Sequence, residues 1–555
     1  MDGPSTRPDA DVAFAQHAAV FGALFALALL LQVATGSFES GFGGFEDEPS
    51  HLVSALMIRD WLGSGAWLEG PSGALAYARE YHVHYPKVGI GQWPPFFHGV
   101  LATWMLVVGT STASVVTFLT LVTSSVAFLI YAVLRRPIGT IGGAVAGVVY
   151  LSVPIVTQCS ASAMTEPMIA LLALGAVLAF GRFMDTGRAR YALLFGALAA
   201  CTILTKGSGL ALSFVPILSM AVGRRWDLLK RPALWLAALV AGSAGPWYVQ
   251  MLETNVGSWA GGSSPSFAYV RFAAGHFASW IPGLLGWVGL LLVPFGVAWS
   301  YRRGALQGRW HALIAWVPSL ALLHLAVPSS VEERHLAVLA PAWTIFASLG
   351  AGVVARRVAR AAGAGSSGGL APALGVACVL LASIAGREGV RTKDWTGWGT
   401  AARDLVARGA GSPQRYLIAS DPVGEGLFVA GVAFADDERP NRTVLRASKV
   451  LGTAGWSGRD YEGRFRDTGE LDRFLAESGV AVVLVDESVR GGRHWYGHMD
   501  QLLALMGEDG TRWRRLTSWD VVRGGAPLPQ TLTGFVRTDW RDLPQPELRF
   551  EDVHR

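Results

Sequence analysis

The sequence predicts an all-α, polytopic membrane domain of about 11 transmembrane helices, followed by a soluble α/β domain at the C-terminus. The first observation is composition, because 51% of the residues are hydrophobic and only 16% are charged, whereas soluble proteins carry about 25% charged residues. The second is a series of apolar stretches of about 17–22 residues, since about 20 helical residues cross a hydrocarbon core. The third is a change to polar composition after residue 386.

The connections between the apolar stretches are basic on every second loop, as at Arg135-Arg136, 182–190 and 356–360. The positive-inside rule makes that side cytoplasmic, so the N-terminus is predicted inside and the chain after residue 386 outside. With no organellar targeting signal, we expect a multi-pass protein of the inner, or plasma, membrane. The predicted helices lie at 17–35, 113–134, 138–157, 166–184, 190–206, 207–223, 232–250, 279–300, 311–328, 336–355 and 370–386.

Residues 96–109 are apolar, but they are rather short for a transmembrane helix. Counting them as a span would move every later basic connection to the outer side. We therefore predict an interfacial or re-entrant helix that stays outside. The first outer loop then extends over residues 36–112.

The predicted domains are a transmembrane catalytic domain at 1–386 and an extracytoplasmic soluble α/β domain at 387–555. The second domain is polar and contains strand-like runs and amphipathic stretches, which alternate as in an α/β fold. These segments are 415–419, 480–485, 399–408 and 470–478.

Ionisable residues collect on the outer edge of the predicted membrane domain, and little charge lies at mid-depth in any helix. A transporter is expected to place such groups near the midplane, whereas an enzyme acting on a membrane-anchored substrate needs them at the interface. The net charge of +5 is small for this length and does not indicate nucleic-acid binding. The outer residues are Glu46, Asp47, Glu48, His51, His82, His84, Lys87, Glu166, Lys206, Glu253, His276, Glu332, Glu333, Arg334 and His335.

Asp47 and Glu48 stand at the start of the outer loop, before Pro49 and an amphipathic run that contains His51. Adjacent carboxylates suit general-base catalysis or metal binding, and a helix N-terminus favours negative charge. On these residues alone, a helix cap is as good an interpretation as a catalyst.

A second cluster extends from His82 to Trp93. Lys87 is a point charge that suits a phosphate. His82 and His84 alternate as metal ligands can, although an exposed interfacial pair is the better interpretation. Tyr85 and Trp93 are also typical of membrane-interface anchors.

Three further charged positions are separated along the chain. Glu166 opens a predicted helix, where its charge also complements the helix dipole. Lys206 lies on an outer turn against the charge bias, beside glycines that let a ligand approach closely, and this favours an anion site over snorkelling to headgroups. Arg334, followed by His335, either presents a guanidinium to a phosphate or belongs to a self-neutralising loop that contains Glu332 and Glu333.

Six motifs follow one another with a shared outer location. They are Asp47-Glu48, Trp93-Pro94-Pro95, Thr165-Glu166, Thr205-Lys206-Gly207, Pro246-Trp247-Tyr248 and Glu333-Arg334-His335-Leu336. In this order they resemble the GT-C membrane glycosyltransferases, specifically the branch with the dolichyl-phosphate-mannose protein mannosyltransferases and the bacterial aminoarabinose transferase of lipid A. The resemblance covers about residues 15–355 and not the C-terminal domain.

The resemblance implies a GT-C-like membrane domain and a glycosyltransferase, of hexosyl or pentosyl type, with a polyprenyl-phosphate-linked sugar as donor. The sugar would pass to a lipid, glycan or protein acceptor on the outer face, with inversion. Asp47 would act as the base, with Glu48 in support. The residues expected to bind the donor phosphate or substrate are Lys87, Lys206, Arg334, His335, Glu166, His51, His84, Tyr85 and Trp93.

Two departures from the family pattern concern donor binding. Related aminoarabinose-type sequences carry a lysine before the Pro-Pro pair, where this chain has Trp93, so Lys87 is a candidate to supply that charge. An aspartate is common where this chain has Glu166.

The alternative to an enzyme is a transporter or flippase of a lipid-linked substrate, although no inverted repeat is visible in the sequence. A further alternative is a non-catalytic membrane scaffold that presents the C-terminal domain. No cofactor is specified by the sequence, no metal ligands are assigned, and a divalent metal remains compatible with the acidic cluster.

Overall fold

The computed structural model describes residues 8–251, 266–304, 307–328, 330–362, 370–385, 392–408, 414–455, 458–508, 512–525 and 529–553. Up to residue 385, the described chain is helical. Its α-helices are α1 (Pro8–Ala34), α2 (Glu48–Ser64), α3 (Gly70–His84), α4 (Phe96–Val108), α5 (Thr112–Leu151), α6 (Pro154–Ala161), α7 (Glu166–Thr186), α8 (Ala189–Ile203), α9 (Phe214–Gly223), α10 (Pro232–Gly242), α11 (Gly245–Gln250), α12 (Phe267–Gly304), α13 (Gly308–Ala326), α14 (Ala340–Ala361) and α15 (Leu370–Ala385).

Four of the described helices are long and apolar enough to cross a membrane, namely Phe14–Ala34, Thr112–Leu151, Glu166–Thr186 and Phe267–Arg302. Several shorter apolar helices accompany them. The predicted count of 11 spans is therefore not confirmed, although helices lie at each predicted position. The predicted spans 113–134 and 138–157 correspond to the two halves of α5, which is kinked at Gly139 two residues after Pro137.

The helices of the membrane part pack around one apolar core, which includes Val177 and Ile345. Helices α12 and α14 approach each other backbone to backbone. A Cβ atom on Gly296 or Gly350 would collide with a main-chain carbonyl of the facing helix. Small residues are expected at such contacts because close packing replaces the hydrophobic effect inside a membrane.

Residues 96–109 form a short helix, as predicted. Helix α4 buries Phe97, Leu101 and Met105, while Val107 at its end is 82% exposed. Its position on the outer side of the membrane stays a prediction.

The chain after residue 392 is an α/β structure, which confirms the predicted class. A five-stranded mixed sheet has the order β2-β1-β5-β7-β6, parallel across β2, β1 and β5 and antiparallel beyond. Its strands are β1 (Arg415–Ala419), β2 (Thr443–Arg446), β5 (Val482–Asp486), β6 (Trp513–Val521) and β7 (Gln530–Arg537), with a two-stranded ribbon β3 (Gly452–Thr453) and β4 (Glu462–Gly463). The helices are α16 (Trp398–Val406), α17 (Pro422–Ala435), α18 (Ala447–Val450), α19 (Thr468–Glu477), α20 (Gly497–Glu508) and α21 (Phe550–Val553).

One apolar core joins the first outer loop to the C-terminal sheet. It contains Leu52 of α2, Phe97 of α4 and Leu119 of α5 together with Leu427 of α17 and Val482 of β5. The predicted boundary at 386/387 lies outside the described residues, and the division into two domains stays a prediction. The shared core places the C-terminal sheet directly over the outer loop that carries Asp47.

Candidate active site

Asp47 lies immediately before α2, in the segment predicted to be the first outer loop. It occupies the N-cap position, but its side chain makes no capping hydrogen bond. Instead, the Nη2 atom of Arg334 donates to Oδ2 of Asp47 at 2.7 Å. The carboxylate side chain is 15% exposed and that of Arg334 is 8% exposed, so this ion pair is largely shielded from water.

Arg334 is surrounded by three carboxylates. Its Nε atom lies 2.7 Å from Glu332 and 4.0 Å from Glu166, in addition to the contact with Asp47. The guanidinium also lies over the ring of Phe45, at 5.3 Å from the centroid. The contact with Glu332 agrees with a self-neutralising loop, and the contact with Asp47 joins Arg334 to an acid 287 residues away. Binding of a phosphate by Arg334 stays a prediction.

Neighbouring groups determine the charge state of Asp47. Burial by itself would raise the pKa of Asp47, but Arg334, His51 and Lys206 together outweigh it, Arg334 most of all, and lower the pKa to about 2. Burial likewise opposes the charge on Arg334, yet its acidic neighbours raise its pKa. Asp47 is therefore a carboxylate at neutral pH.

Glu166 and Lys206 form a second ion pair beside the first. The Nζ atom of Lys206 donates to Glu166 at 2.7 Å, with Glu166 fully buried and Lys206 20% exposed. Glu166 opens α7 and Lys206 follows α8, so the antiparallel packing of these two helices brings their outer ends together. Two cations and three carboxylates thus form one charged cluster around Asp47.

Glu48 lies in a different environment from that of its neighbour Asp47. It is 0% exposed, and its carboxylate accepts from the main-chain N–H groups of Gly44 and Ala163, each at 2.8 Å. The third donor is Lys393, at 2.6 Å. Lys393 also donates to the carbonyl of Ala161 at 2.9 Å. With these partners, Glu48 connects the turn before Asp47, the segment before Glu166 and the start of the C-terminal chain.

Lys393 was missed by sequence reasoning, although a signal existed. It lies on the predicted outer side, where lysine goes against the charge bias, and the same argument had singled out Lys206. The segment around Lys393 also pairs with the chain after α1, because its N–H donates to Thr35 at 2.7 Å and Trp395 accepts from Gly41 at 2.5 Å.

His51 and Trp93 lie close to each other, and the charge of Asp47 acts on His51. Their ring centroids are 4.7 Å apart, and His51 Nδ1 is 3.0 Å from Nε2 of His98. Burial lowers the pKa of His51 to about 4, against the opposing charge of Asp47. His51 is thus a neutral ring at physiological pH and does not add to the positive charge of the site.

His84, Tyr85 and Lys87 lie against the C-terminal sheet, where they have structural partners. His84 Nδ1 is 3.0 Å from the carbonyl oxygen of Arg442, and the hydroxyl of Tyr85 donates to Asp436 at 2.6 Å. Lys87 is 1% exposed, and burial, reinforced by the charge of Arg446, lowers its pKa to about 7. His84 and Tyr85 therefore have partners outside the charged cluster around Asp47, whereas Lys87 is close enough for the charges of Asp47 and Glu46 to act on it. The predicted binding role of all three stays a prediction.

The remaining predicted residue, His335, follows Arg334 and stacks on His324 of α13, with ring centroids 5.0 Å apart. Glu253 lies outside the described residues. Among the described residues, no three histidine, cysteine or acidic side chains are grouped as a metal site would require.

The fold is that of the GT-C membrane glycosyltransferases, so the predicted resemblance is confirmed. ArnT from Cupriavidus metallidurans, bound to undecaprenyl phosphate, is similar with a TM-score of 0.52 and 16% identity, over 92% of this chain and 97% of that one. The archaeal oligosaccharyltransferase AglB from Archaeoglobus fulgidus, in complex with an inhibitory peptide and a dolichol-phosphate, is similar with a TM-score of 0.53 and 11% identity, over 97% and 77% of the two chains. At such identities, the likeness establishes the fold.

Within this fold class, a narrower family signal covers part of the sequence. Residues 92–244 match the family described as dolichyl-phosphate-mannose-protein mannosyltransferase. The matched segment begins just before Trp93 and contains both Glu166 and Lys206. No curated protein matches the chain.

Proposed function

We propose that the chain is a glycosyltransferase that moves a sugar from a polyprenyl-phosphate-linked donor to a lipid, glycan or protein acceptor. The reaction takes place at the outer face of the inner membrane, with the N-terminus in the cytoplasm and the C-terminal domain outside. The observation that carries this proposal is the ionised Asp47, held 2.7 Å from Arg334 and next to the Lys206–Glu166 pair.

In this proposal, catalysis is a single displacement with inversion at the anomeric carbon. The acceptor oxygen forms the new bond to that carbon, the bond between the carbon and the phosphate oxygen breaks, and the phosphate departs with the electron pair. Asp47 orients the acceptor hydroxyl and takes its proton. Arg334 and Lys206 stabilise the negative charge that develops on the departing phosphate.

The charge balance of the cluster imposes a condition on donor binding. Arg334 and Lys206 carry two positive charges, whereas Asp47, Glu166 and Glu332 carry three negative ones. A phosphate therefore has to displace a carboxylate from the guanidinium rather than simply join the cluster. Glu332 is the candidate, because its side chain is 36% exposed, while Glu166 is 0% exposed.

Donor binding would also activate Asp47. The pKa of Asp47 is low because Arg334, with smaller contributions from His51 and Lys206, opposes the effect of burial. When a phosphate shares the guanidinium, we expect the pKa of Asp47 to rise toward that of a buried acid. Asp47 would then be a better proton acceptor in the donor complex than in the free protein.

The test is transfer of radiolabelled sugar by the purified full-length chain, from a panel of polyprenyl-phosphate sugars to lipid, glycan and peptide acceptors. We expect transfer by the wild type and loss of about 10²–10⁴-fold in Asp47→Asn, the range for a positioned proton acceptor. The matched control is Asp227→Asn, because Asp227 is 55% exposed and paired with Arg225 away from the cluster. Full activity of Asp47→Asn would refute the assigned base, and flux across liposomes without a covalent product would favour a transporter.

A further inference from the structure

A pocket of about 300 Å³ lies where the first outer loop meets the C-terminal chain. Its lining includes Arg59 and Asp60 of α2, Leu106 of α4, and Asp437 and Arg439 from the connection between α17 and β2. The volume is at the lower end of the range for small-molecule sites, about 300–1,000 Å³. Arg59 lies about 18 Å along the helix from Asp47, at 1.5 Å per residue over 47–59, so the pocket is separate from the candidate active site.

Two of the charged groups in this pocket are already used by the fold. Asp60 accepts a hydrogen bond from the hydroxyl of Tyr81 and another from Nε of Arg439, each at 2.9 Å. Arg439 also donates through Nη1 to the carbonyls of Ala433, at 3.0 Å, and Asp436, at 2.6 Å. This pair therefore joins α2 to the C-terminal chain and has little capacity left for a ligand.

Arg59 and Asp437 differ from that pair, because each has capacity for a partner. Arg59 donates from Nη1 to Asp60 at 2.6 Å, but its Nε is buried without a hydrogen-bond partner and its side chain is 29% exposed. Asp437 is exposed and pairs with no cation in the part of the chain that the structure describes. A guanidinium suits a phosphate, whereas a carboxylate suits an ammonium group. One cation and one anion on the same pocket favour a ligand that carries both charges.

Exposed apolar side chains lie beside the pocket. At the end of α4, Leu106, Val107 and Val108 are 43%, 82% and 52% exposed, and in the turn after α2, Trp67 and Leu68 are 50% and 74% exposed. These five residues are called the apolar rim. The two segments lie at the same end of α2, because a Cβ atom on Gly63 would be 3.7 Å from Cδ2 of Leu106. An exposed patch of this kind indicates contact with a membrane or with another protein.

The position of the apolar rim favours the membrane. Helix α5 begins at Thr112, directly after the end of α4, and it is one of the helices long and apolar enough to cross a membrane. The rim therefore lies close to the point where the chain enters the hydrocarbon. Tryptophan and exposed aliphatic side chains are typical of that depth. Charged groups next to an apolar rim match the order of headgroup and acyl chains in a phospholipid.

We propose that this pocket binds the headgroup of a phospholipid that carries both a phosphate and an ammonium group with N–H donors. Arg59 contacts the phosphate and Asp437 the ammonium group, while the acyl chains lie against the apolar rim. Arg59 belongs to α2 and Asp437 to the C-terminal chain, so the bound lipid would hold the C-terminal part of the protein at the membrane surface. The inference does not depend on the proposed function.

The first test measures lipid binding to the purified full-length chain in detergent, by titration followed with native mass spectrometry. The probes are phosphatidylethanolamine, which carries both charges, and phosphatidylglycerol, which lacks the ammonium group. The variants are Arg59→Gln and Asp437→Asn. The matched control is Arg490→Gln, because Arg490 is also paired with an acid close in sequence, Glu487, but is 63% exposed and outside the pocket.

We expect the wild type to bind phosphatidylethanolamine about fivefold more tightly than phosphatidylglycerol, as for a favourable exposed ion pair. Asp437→Asn should abolish that preference. Arg59→Gln should weaken binding of both lipids by about tenfold, as for one lost hydrogen bond to a charged group. Arg490→Gln should bind like the wild type. Thermal unfolding is measured alongside, and if Arg59→Gln loses its fold, the exposed position Asp437 decides the outcome.

The second test measures the depth of the apolar rim. Val107→Cys is labelled with a fluorophore in a Cys201→Ser/Cys378→Ser background, in which the remaining cysteine, Cys159, is buried. The labelled protein is placed in nanodiscs of phosphatidylethanolamine with brominated acyl chains, which quench fluorophores in the hydrocarbon. We expect the label at residue 107 to be quenched several-fold more strongly than one at Arg490→Cys.

Three results would overturn the inference. A wild type that binds both lipids equally, or an Asp437→Asn variant that keeps the preference, would remove the ammonium site. Unchanged binding by Arg59→Gln would remove the phosphate site. An unquenched label at residue 107 would place the apolar rim outside the membrane, and a dimeric mass in that case would assign it to a second copy of the chain. None of these readouts requires sugar transfer, so the proposed function stands or falls separately.

Discussion

The ion pair between Glu48 and Lys393 offers the sharpest test of how the outer loop is held. Glu48 has no exposed surface and the side chain of Lys393 is 5% exposed, with 2.6 Å between Oε1 and Nζ. In Lys393→Met, the ammonium is lost while a side chain of similar length still fills the space. The substitution leaves a buried carboxylate without its counter-charge.

The expected loss of stability follows from this geometry. Removing one partner of a buried pair costs about 3–5 kcal/mol, because the other charge stays buried. Glu48 retains the N–H groups of Gly44 and Ala163, so we expect the lower end, about 3 kcal/mol. In the double variant Glu48→Gln/Lys393→Met no charge remains, and we expect a smaller loss than in Lys393→Met alone, with a coupling of about 2 kcal/mol.

The assay is unfolding of the purified protein by denaturant in detergent, read out for the wild type, both single variants and the double variant. The matched control is Lys449→Met, because Lys449 also lies in the C-terminal part but donates to the carbonyl of Ala454 rather than to an acid. We further expect a lower kcat in Lys393→Met, since Glu48 adjoins Asp47. A loss of unfolding free energy below about 0.5 kcal/mol in Lys393→Met, as for ordinary surface substitutions, would refute the reasoning. So would a double variant whose loss equals the sum of the losses in the two single variants.

Three other substitutions test separate contacts. Arg334→Gln should raise the pKa of Asp47 from about 2 toward its ordinary 3.8 or above, because burial is then opposed only by the weaker effects of His51 and Lys206. The acid limb of residual transfer activity, measured against pH, should move to higher pH; an unshifted limb would argue against the pair. Tyr85→Phe removes the 2.6 Å bond to Asp436 and should cost about 1–2 kcal/mol in the unfolding assay, whereas unchanged stability would show that the bond is not maintained. Glu332→Gln should tighten binding of polyprenyl phosphate several-fold, because one competitor for Arg334 loses its charge, and weaker binding would contradict that competition.

Much of the helical architecture was predictable because it depends on local sequence. Apolar length and basic connections located helices such as α7 and α13 to within a few residues, and a short strand-like apolar run located β1 at 415–419. The non-helical backbone at Gly139 divides α5 into two helical halves, which correspond to two of the predicted spans. Whether each shorter helix crosses the membrane depends on its depth, which local composition does not specify.

The charged cluster was predictable in its members but not in its pairing. Asp47, Glu166, Lys206 and Arg334 were each singled out by position, since a charged side chain near a membrane is costly unless it is paired or solvated. Which acid pairs with which base depends on how α7, α8 and the loop after α13 pack. That packing is set by distant apolar contacts, and no motif spacing encodes it.

Lys87 shows that an element distant in the sequence can change the surroundings predicted from local sequence. A lysine near a Pro-Pro pair suits a phosphate, but the C-terminal chain covers it. A Cβ atom on Gly426 of α17 would lie 2.9 Å from Cε of Lys87, so the helix passes directly over the lysine. The sequence resemblance ends before this helix, so it gave no information about what covers the outer loop.

In the proposed reaction, the pairing of Arg334 with Asp47 would link recognition of the donor to the strength of Asp47 as a base. In the free protein the guanidinium keeps the pKa of Asp47 near 2, where a carboxylate is a poor proton acceptor. A donor phosphate that draws charge from Arg334 would remove the influence that keeps the pKa low. In the proposed reaction, Asp47 would thus become a stronger proton acceptor when the leaving group is in place. A cluster with one carboxylate in excess is suited to that role, since it leaves Arg334 shared and hence responsive to a new anion.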